Sequence, residues 1–348
     1  MNAVSLGRSR ATAVQAGLKQ PPAANGHSSP LALLLRHIAC SGYHFTTITP
    51  LTHERFLRQR GRQSGTTLRD IFGWNMRFAA SAITPMLLAL MKQAGVLVAS
   101  EGLWRSSVRI SSIGHDLFLH SAYPTNDTSA VFFGPDTCRF VHFLQEAMLA
   151  SRSRLCSAVP IQPLRILDVG CGSGAGGILL ARELASWGVP STLVMSDINP
   201  LALYYTAINA EIAGIPVVLA QGDALAAVQG DFDLIISNPP YLDDALQRDY
   251  RHGGTQMGMA LSLRIATEAL LRLAPGGRLL LYTGVAIVDG ADPLLAALEP
   301  LLSAANCHWS YREIDPDVFG EELTRPVYAQ ADRIAVTGLI ARRREAPA

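Results

Sequence analysis

Lysine is nearly missing from this chain of 348 residues: Lys19 and Lys92 are the only two, so arginine carries almost all of its 29 positive side chains. With the heavy use of Ala and Leu, that skew reads as the codon bias of a GC-rich genome. Acidic residues are missing before Glu54. Given the codon bias, that acid-free, Arg-containing start is not read as a transit peptide. Cysteine is sparse as well. Cys40, Cys138, Cys156, Cys171 and Cys307 are odd in number and scattered. No pair has CxxC or metal-ligand spacing, so reduced thiols in a cytoplasm are the expectation. No apolar run is long enough to span a bilayer. Leu31 to Leu35 is too short for a signal-peptide core.

What the chain does have is apolar content, 49% of residues, and that is ample for a core. Its charge is unevenly shared. Residues 1–150 hold 14 Lys+Arg against 7 Asp+Glu, and residues 151–348 hold 15 against 21. A basic front half fits a part that meets an anionic partner, and an acidic back half fits a cleft for a cationic ligand. A coincidence of surface composition gives the same numbers. Arg55, Arg58, Arg60 and Arg62 form the one basic cluster. Without interleaved aromatics it reads as a solvated helix face rather than a base-stacking surface.

Three segments are expected. Residues 1–29, rich in Ala, Ser, Gly and Pro, read as a disordered tail. Residues 30–128 form a module that recognises or covers substrate. It is helical to about Ala94, with a capped start at Thr67 and a stop at Gly95. A small β-ribbon over 96–121 follows, with turns at Glu101-Gly102 and Gly114, a winged-helix-like order of elements. Residues 129–348 alternate strand and helix. Strands are expected at 164–169, 192–196, 216–220, 232–237, 277–283, 308–314 and 333–341. Helices are expected at about 136–151, 174–187, 200–213, 258–273 and 290–304. Alternation of this kind means an α/β fold, a mostly parallel sheet covered on both faces. The last two strands, with no helix between them, form an antiparallel pair at its edge.

In such a sheet ligands bind beyond the carboxyl ends of the strands. The first strand ends in Gly170-Cys171-Gly172-Ser173-Gly174, where glycines let a ligand lie against the backbone. The second ends in Asp197, placed to accept from both hydroxyls of a ribose. The third leads to Asp223, which can accept from the exocyclic amine of an adenine. The fourth ends in Asn238-Pro239-Pro240-Tyr241. Gly172, Gly174 and Gly177 also spell GxGxxG, with Asp197 twenty residues beyond Gly177, which is the dinucleotide-binding fingerprint. Asp168 inside the strand, Asp223 and Asn-Pro-Pro-Tyr are not required for that ligand. Gly176 and Gly177 can equally serve helix–sheet packing.

The chemistry of Asn-Pro-Pro-Tyr suits a planar nitrogen. Its lone pair is delocalised, so a site helps by accepting both N–H bonds as the nitrogen becomes pyramidal. Asn238 offers a side-chain oxygen and Pro239 a carbonyl. Two prolines hold that carbonyl stiffly, so the acceptors need not reorganise. Tyr241 can lie flat on the acceptor group.

Taken together, these residues resemble the class I S-adenosylmethionine (SAM) methyltransferases, and in particular the HemK-like group of glutamine N5-methyltransferases acting on release factors. Phe133-Gly134-Pro135-Asp136-Thr137 is similar to that family's Arg-Pro-Asp-Thr-Glu segment, with Gly134 in place of Arg and Cys138 in place of Glu. Either Asp136 or Thr137 can cap the helix that follows. The resemblance covers residues 131–285 and implies a seven-stranded Rossmann-like sheet with SAM as cofactor. It implies cofactor contacts from Asp168, Gly170, Gly172, Gly174, Asp197, Ile198, Asp223, Ala224 and Asn238. It implies substrate contacts from Thr137, Pro240 and Tyr241, with Asn238, Pro239 and Tyr241 at the reacting group and no metal. A protein side-chain amide is the leading acceptor. A small molecule methylated on N or O, an exocyclic amine of RNA or DNA, and a SAM-binding protein without turnover stay open. His252, just beyond the motif, reads as a loop residue rather than a base.

Overall fold

A computed structural model of the chain describes residues 28–157 and 162–345. Most of the expected tail therefore lies outside the described residues. Its last residue does not behave as a tail: the Ser29 hydroxyl accepts from Ala32 N–H at 3.1 Å and caps the first helix.

The front of the chain builds α1 (Pro30–Cys40), α2 (Pro50–Arg60), α3 (Pro85–Gln93), β1 (Leu97–Ser100), β2 (Leu103–Ser106), β3 (Val108–Ile113) and β4 (Asp116–Ser121). Then come α4 (Pro135–Leu149), a short α5 (Arg152–Ser157) that the sequence did not suggest, β5 (Leu164–Val169), α6 (Ala175–Ser186), β6 (Ser191–Asp197), α7 (Pro200–Ala213) and β7 (Val217–Gln221). The chain closes with β8 (Phe232–Ser237), α8 (Ala260–Leu271), β9 (Leu273–Ile287), α9 (Pro293–Ala304), β10 (Cys307–Asp315) and β11 (Arg333–Arg343).

Helix starts follow one local rule. Ser29-Pro30, Thr49-Pro50, Thr84-Pro85, Asn199-Pro200 and Asp292-Pro293 each put an oxygen-bearing cap before a proline at the first helical position. The cap satisfies an orphan N–H, and the proline has none to satisfy.

The expected single β-ribbon is two separate hairpins, β1–β2 and β3–β4. Ser106 splits the run from Trp104 to Ile110. Its hydroxyl donates to Val108 O at 2.7 Å and accepts from Val108 N–H at 3.2 Å, which breaks the strand between them.

Seven strands form one sheet in the order β10-β11-β9-β8-β5-β6-β7. The strands from β5 to β9 run parallel, while β11 is antiparallel to both β9 and β10. The last two strands do pair at the edge, as expected, with β11 inserted inside β10. Alternate residues serve opposite faces. Ile166, Ile236, Leu280 and Tyr282 meet α4 and α6, whereas Leu167, Ile235, Leu279 and Leu281 meet α8 and α9. One helix is buried on two sides: α7 sends Leu203 and Ala210 to the sheet and Ala202, Tyr205 and Ile208 to the front of the chain. Among the described residues no helix is long and apolar enough to cross a membrane.

Candidate active site

Strand order reverses between β5 and β8, so a crevice opens at their carboxyl ends. The Gly170–Gly174 loop forms one wall. Its Gly170 and Cys171 N–H groups both donate to Ser196 O, at 2.8 and 3.0 Å, which ties the loop to the tip of β6. Asp197 stands at that tip. Its Oδ2 accepts from Gly172 N–H and its Oδ1 from Asn199 N–H, both at 2.9 Å. Each oxygen keeps a lone pair for a ligand hydroxyl. Burial raises the Asp197 pKa, the backbone N–H donors oppose that, and the nearby Asp249 carboxylate adds to it. Beside it, Ile198 is 55% exposed, a bare apolar side chain on the cavity wall.

Asp168 lies deeper. Its Oδ2 accepts from Gly177 N–H at 2.9 Å, and burial lifts its pKa to about 7. A Cβ on Gly177 would stand 2.7 Å from Met195 Sδ and 3.0 Å from Asp168 Oδ2. The third glycine of the GxGxxG pattern therefore serves the packing of α6 on the sheet, and Asp168 anchors that helix beneath the loop.

Asp223 differs from expectation. Both its oxygens are engaged by Arg264 of α8, Oδ2 by Nη1 at 2.9 Å and Oδ1 by Nη2. The guanidinium lowers the carboxyl pKa. The residue is an ion-paired group on the cavity rim. Ala224 follows at φ 48°, and its carbonyl accepts from Ser196 Oγ at 3.1 Å.

Opposite the loop, Ser237 Oγ donates to Val169 O at 2.8 Å and holds the tips of β8 and β5 together. Asn238 and Pro240 are partly exposed on the cavity, and Pro239 is buried between them. Tyr241 is buried. Its ring lies on Gly284 of β9, where a Cβ would be 2.2 Å from the ring, and Phe319 meets it edge-on at 6.0 Å. The Tyr241 hydroxyl has no partner in hydrogen-bond geometry among the described residues. Thr137 lines the cavity, but its hydroxyl accepts from Gly134 N–H at 3.3 Å, so it caps α4. Gly134 has a local reason: a Cβ there would stand 2.5 Å from Phe132 Cζ. The Phe132 ring instead stacks on Tyr250 at 5.7 Å and builds an aromatic wall.

Other contributors had no motif to reveal them. Thr206 and Asn209 of α7 donate to the loop carbonyls of Gly172 and Ser173, at 3.0 and 2.8 Å. A strap over residues 125–129 is tied to both sides of the cleft. Ser129 O accepts from Asn199 Nδ2 at 2.7 Å, Thr128 O from Asp249 N–H at 3.0 Å, and Thr125 O from the Tyr250 hydroxyl. His252 Nδ1 accepts from Asp244 N–H at 3.2 Å, a loop contact.

The cavity measures about 200 Å³. Asp136, Asp168, Asp197, Asp223 and Asp249 line it, and among the described residues Arg251 is the one arginine or lysine in the lining. Arg251 is itself held by Glu322 at 2.5 Å. That donor set, with the free lone pairs of Asp197 and the bare Ile198, suits a cationic ligand that carries a ribose and a flat apolar base, which is a description SAM meets.

Comparison with known proteins agrees. Residues 151–287 match the model of the methyltransferase small domain. The chain is 30% identical over 210 residues to a release factor glutamine methyltransferase of Deinococcus radiodurans, covering 57% of this chain and 66% of that one. It is 36% identical over 132 residues to the same-named protein of Lactococcus lactis, covering 35% and 47%. With that of Mycobacterium tuberculosis it shares 35% over 146 residues, covering 38% and 46%. The chain thus spans between about half and two thirds of the length of these relatives. On these matches the chain carries a class I methyltransferase domain similar to that of the release factor glutamine methyltransferases.

Proposed function

We propose that this protein transfers a methyl group from SAM to the side-chain amide nitrogen of a glutamine in a protein. The observation that carries the reading is the placement of Asn238 and Pro239 at the tip of β8, facing the Asp197 side of one cavity. The names of the relatives supply the acceptor class.

When bound, SAM supplies a methyl group activated by a cationic sulfur. Asp197 would hold the ribose hydroxyls with its two remaining lone pairs, and Ile198 and Ala224 would flank the adenine. The backbone of Gly170, Gly172 and Gly174 forms the floor for the methionine part, with Asp168 fixing that floor from below. Asn238 Oδ1 and the Pro239 carbonyl would accept the two amide N–H bonds, which turns the nitrogen lone pair out of conjugation. Pro240 and Tyr241 bound the acceptor plane. Both acceptors are held before the substrate arrives, which is where such sites gain most of their rate. The product nitrogen is acidic, and its proton leaves without a strong base.

We also assign residues 30–128 to acceptor recognition or to covering the cleft, and 129–348 to the methyltransferase domain. A cytoplasmic setting fits the unpaired cysteines and the relatives' printed substrate.

The test is methyl transfer from radiolabelled SAM into a lysate that lacks the native enzyme, with protein, nucleic acid and small molecules separated afterwards. Label in the protein fraction, lost with Asn238→Ala, is the expected result. Label confined to nucleic acid or to small molecules would overturn the amide reading.

A further inference from the structure

Asp136 is the first-turn carboxylate of α4, and it stands where three side chains from two other segments converge. Tyr282, from the middle of β9 and fully buried, donates to its Oδ1 at 2.6 Å across 146 residues of sequence. Tyr241 and Asn238 line the same cavity as Asp136, and their side chains act to lower the pKa of its carboxyl. Among the described residues the buried Tyr241 Oη has no partner in hydrogen-bond geometry. Asp136 is partly buried at the cavity wall. Burial raises its pKa against these donors and against Arg139, which pairs with Asp315 of β10 at 3.0 Å. Its place at a helix N-terminus favours the ionised form.

An asparagine amide can present either its oxygen or its NH₂ to a ligand, and the two are alike in shape. A planar acceptor nitrogen needs the oxygen. Something must therefore take the NH₂ end, and it has to be an acceptor that cannot donate. An ionised carboxylate meets that condition, whereas a hydroxyl or an amide does not.

We infer that Asp136 is the positioning residue of this site: it accepts from Asn238 Nδ2 and so turns Asn238 Oδ1 toward the acceptor, while Tyr282 fixes the carboxyl and Tyr241 is steadied against it. This rests on the proposed transfer at Asn238 and adds the group that gives Asn238 its direction. The Asp136→Asn change is nearly isosteric but brings an NH₂ of its own, so Asn238 loses the reason to keep its oxygen forward.

Two readouts separate this inference from the activity it rests on. The first is NMR of the Asn238 side-chain NH₂, assigned with Asn238→Ala. Its resonance should move as pH is lowered and Asp136 takes up a proton, and it should stop moving in Asp136→Asn. The other groups facing the carboxyl do not compete in that window, since Tyr241 and Tyr282 are pushed upward by burial. An Asn238 resonance that does not move in the wild-type protein would overturn the inference. The second is kinetic. Asp136→Asn should lower kcat about 100-fold, the scale for a misdirected reacting group, with SAM affinity unchanged and with the acid limb of the wild-type kcat–pH profile gone. Loss of SAM affinity with kcat unchanged would make Asp136 a cofactor contact instead, and the inference would fall. A wild-type protein that labels nothing, while the NMR coupling persists, would overturn the proposed activity and leave the orienting contact standing.

Discussion

Arg264 meets Asp223 in a two-pronged pair at the rim of the cleft, and both partners are about half exposed. The two carboxylates at the strand tips are therefore unequal. Asp197 is buried and held by two backbone N–H groups, whereas Asp223 is half exposed and already neutralised by a cation. Hydrogen bonds to a charged group are worth about 1.5–3 kcal/mol each, and about 1.4 kcal/mol is a factor of ten in affinity. Asp197→Ala should weaken SAM binding by about 100-fold or more on that basis. Asp223→Ala should cost less than about tenfold. Calorimetric titration of the two variants decides it, and equal losses would mean that Arg264 yields its partner to the cofactor.

Asp168 gives a pH signature. Its folded pKa of about 7 lies above the 3.8 of a free carboxyl. Between those values the folded chain still holds a proton that the unfolded chain has released, so this group's contribution to stability falls as pH rises across that window. Asp168→Asn keeps the acceptor for Gly177 N–H and has no proton to lose. The gap in Tm between variant and wild type, without cofactor, should widen in the variant's favour from about pH 4 to about pH 7 and then level off. Parallel profiles would refute the burial of this carboxyl.

Much of this arrangement could be read from the chain, and the reason differs by element. Strands β5 and β8 were placed at their observed ends because each is a short apolar run closed by Gly170 or by Asn238-Pro239. The limits of α7 came from Asn199-Pro200 at one end and Gly214 at the other. Those are local signals. The split between β2 and β3 hangs on one serine hydroxyl, and neither propensity nor period reports it. Arg264 on Asp223 and Tyr282 on Asp136 join residues far apart in sequence. Such pairs are set by the sheet order, so a motif search finds one member and misses the other. The pairing of Asp223 was not foreseen for that reason.

Gly177 should not accept a side chain. Its missing Cβ is the space that Met195 Sδ and Asp168 Oδ2 occupy. Overpacking of this kind costs about 1–3 kcal/mol. Gly177→Ala should lower Tm by about 2–4 °C for each kcal/mol lost, and SAM affinity should fall with it. An alanine variant with unchanged Tm would show that α6 can slide on the sheet.

Asn209 completes the backbone of two segments at once. Its Oδ1 accepts from Leu119 N–H at 2.8 Å, and its Nδ2 donates to Leu119 O and Ser173 O at 3.1 and 2.8 Å. Asn209→Ala would strand these buried groups, at about 1–3 kcal/mol each. Urea unfolding should register that loss, together with weaker SAM binding, whereas Asn238→Ala should leave both unchanged. Loss of stability alone, with SAM binding intact, would mean that the glycine loop holds its shape without α7.

The double burial of α7 also bears on how such enzymes can be recombined. Ala202, Tyr205 and Ile208 are covered by the front of the chain, and Asn209 reaches both that front and the glycine loop. A catalytic half expressed alone would present an oily stripe to water and self-associate. A recognition module borrowed from a relative would have to bring a matching counterface for this helix. On the proposed division of labour, exchange of the front half is constrained at this seam, and a chimera that keeps α7 with its native front half should stay monodisperse where one cut beside it does not.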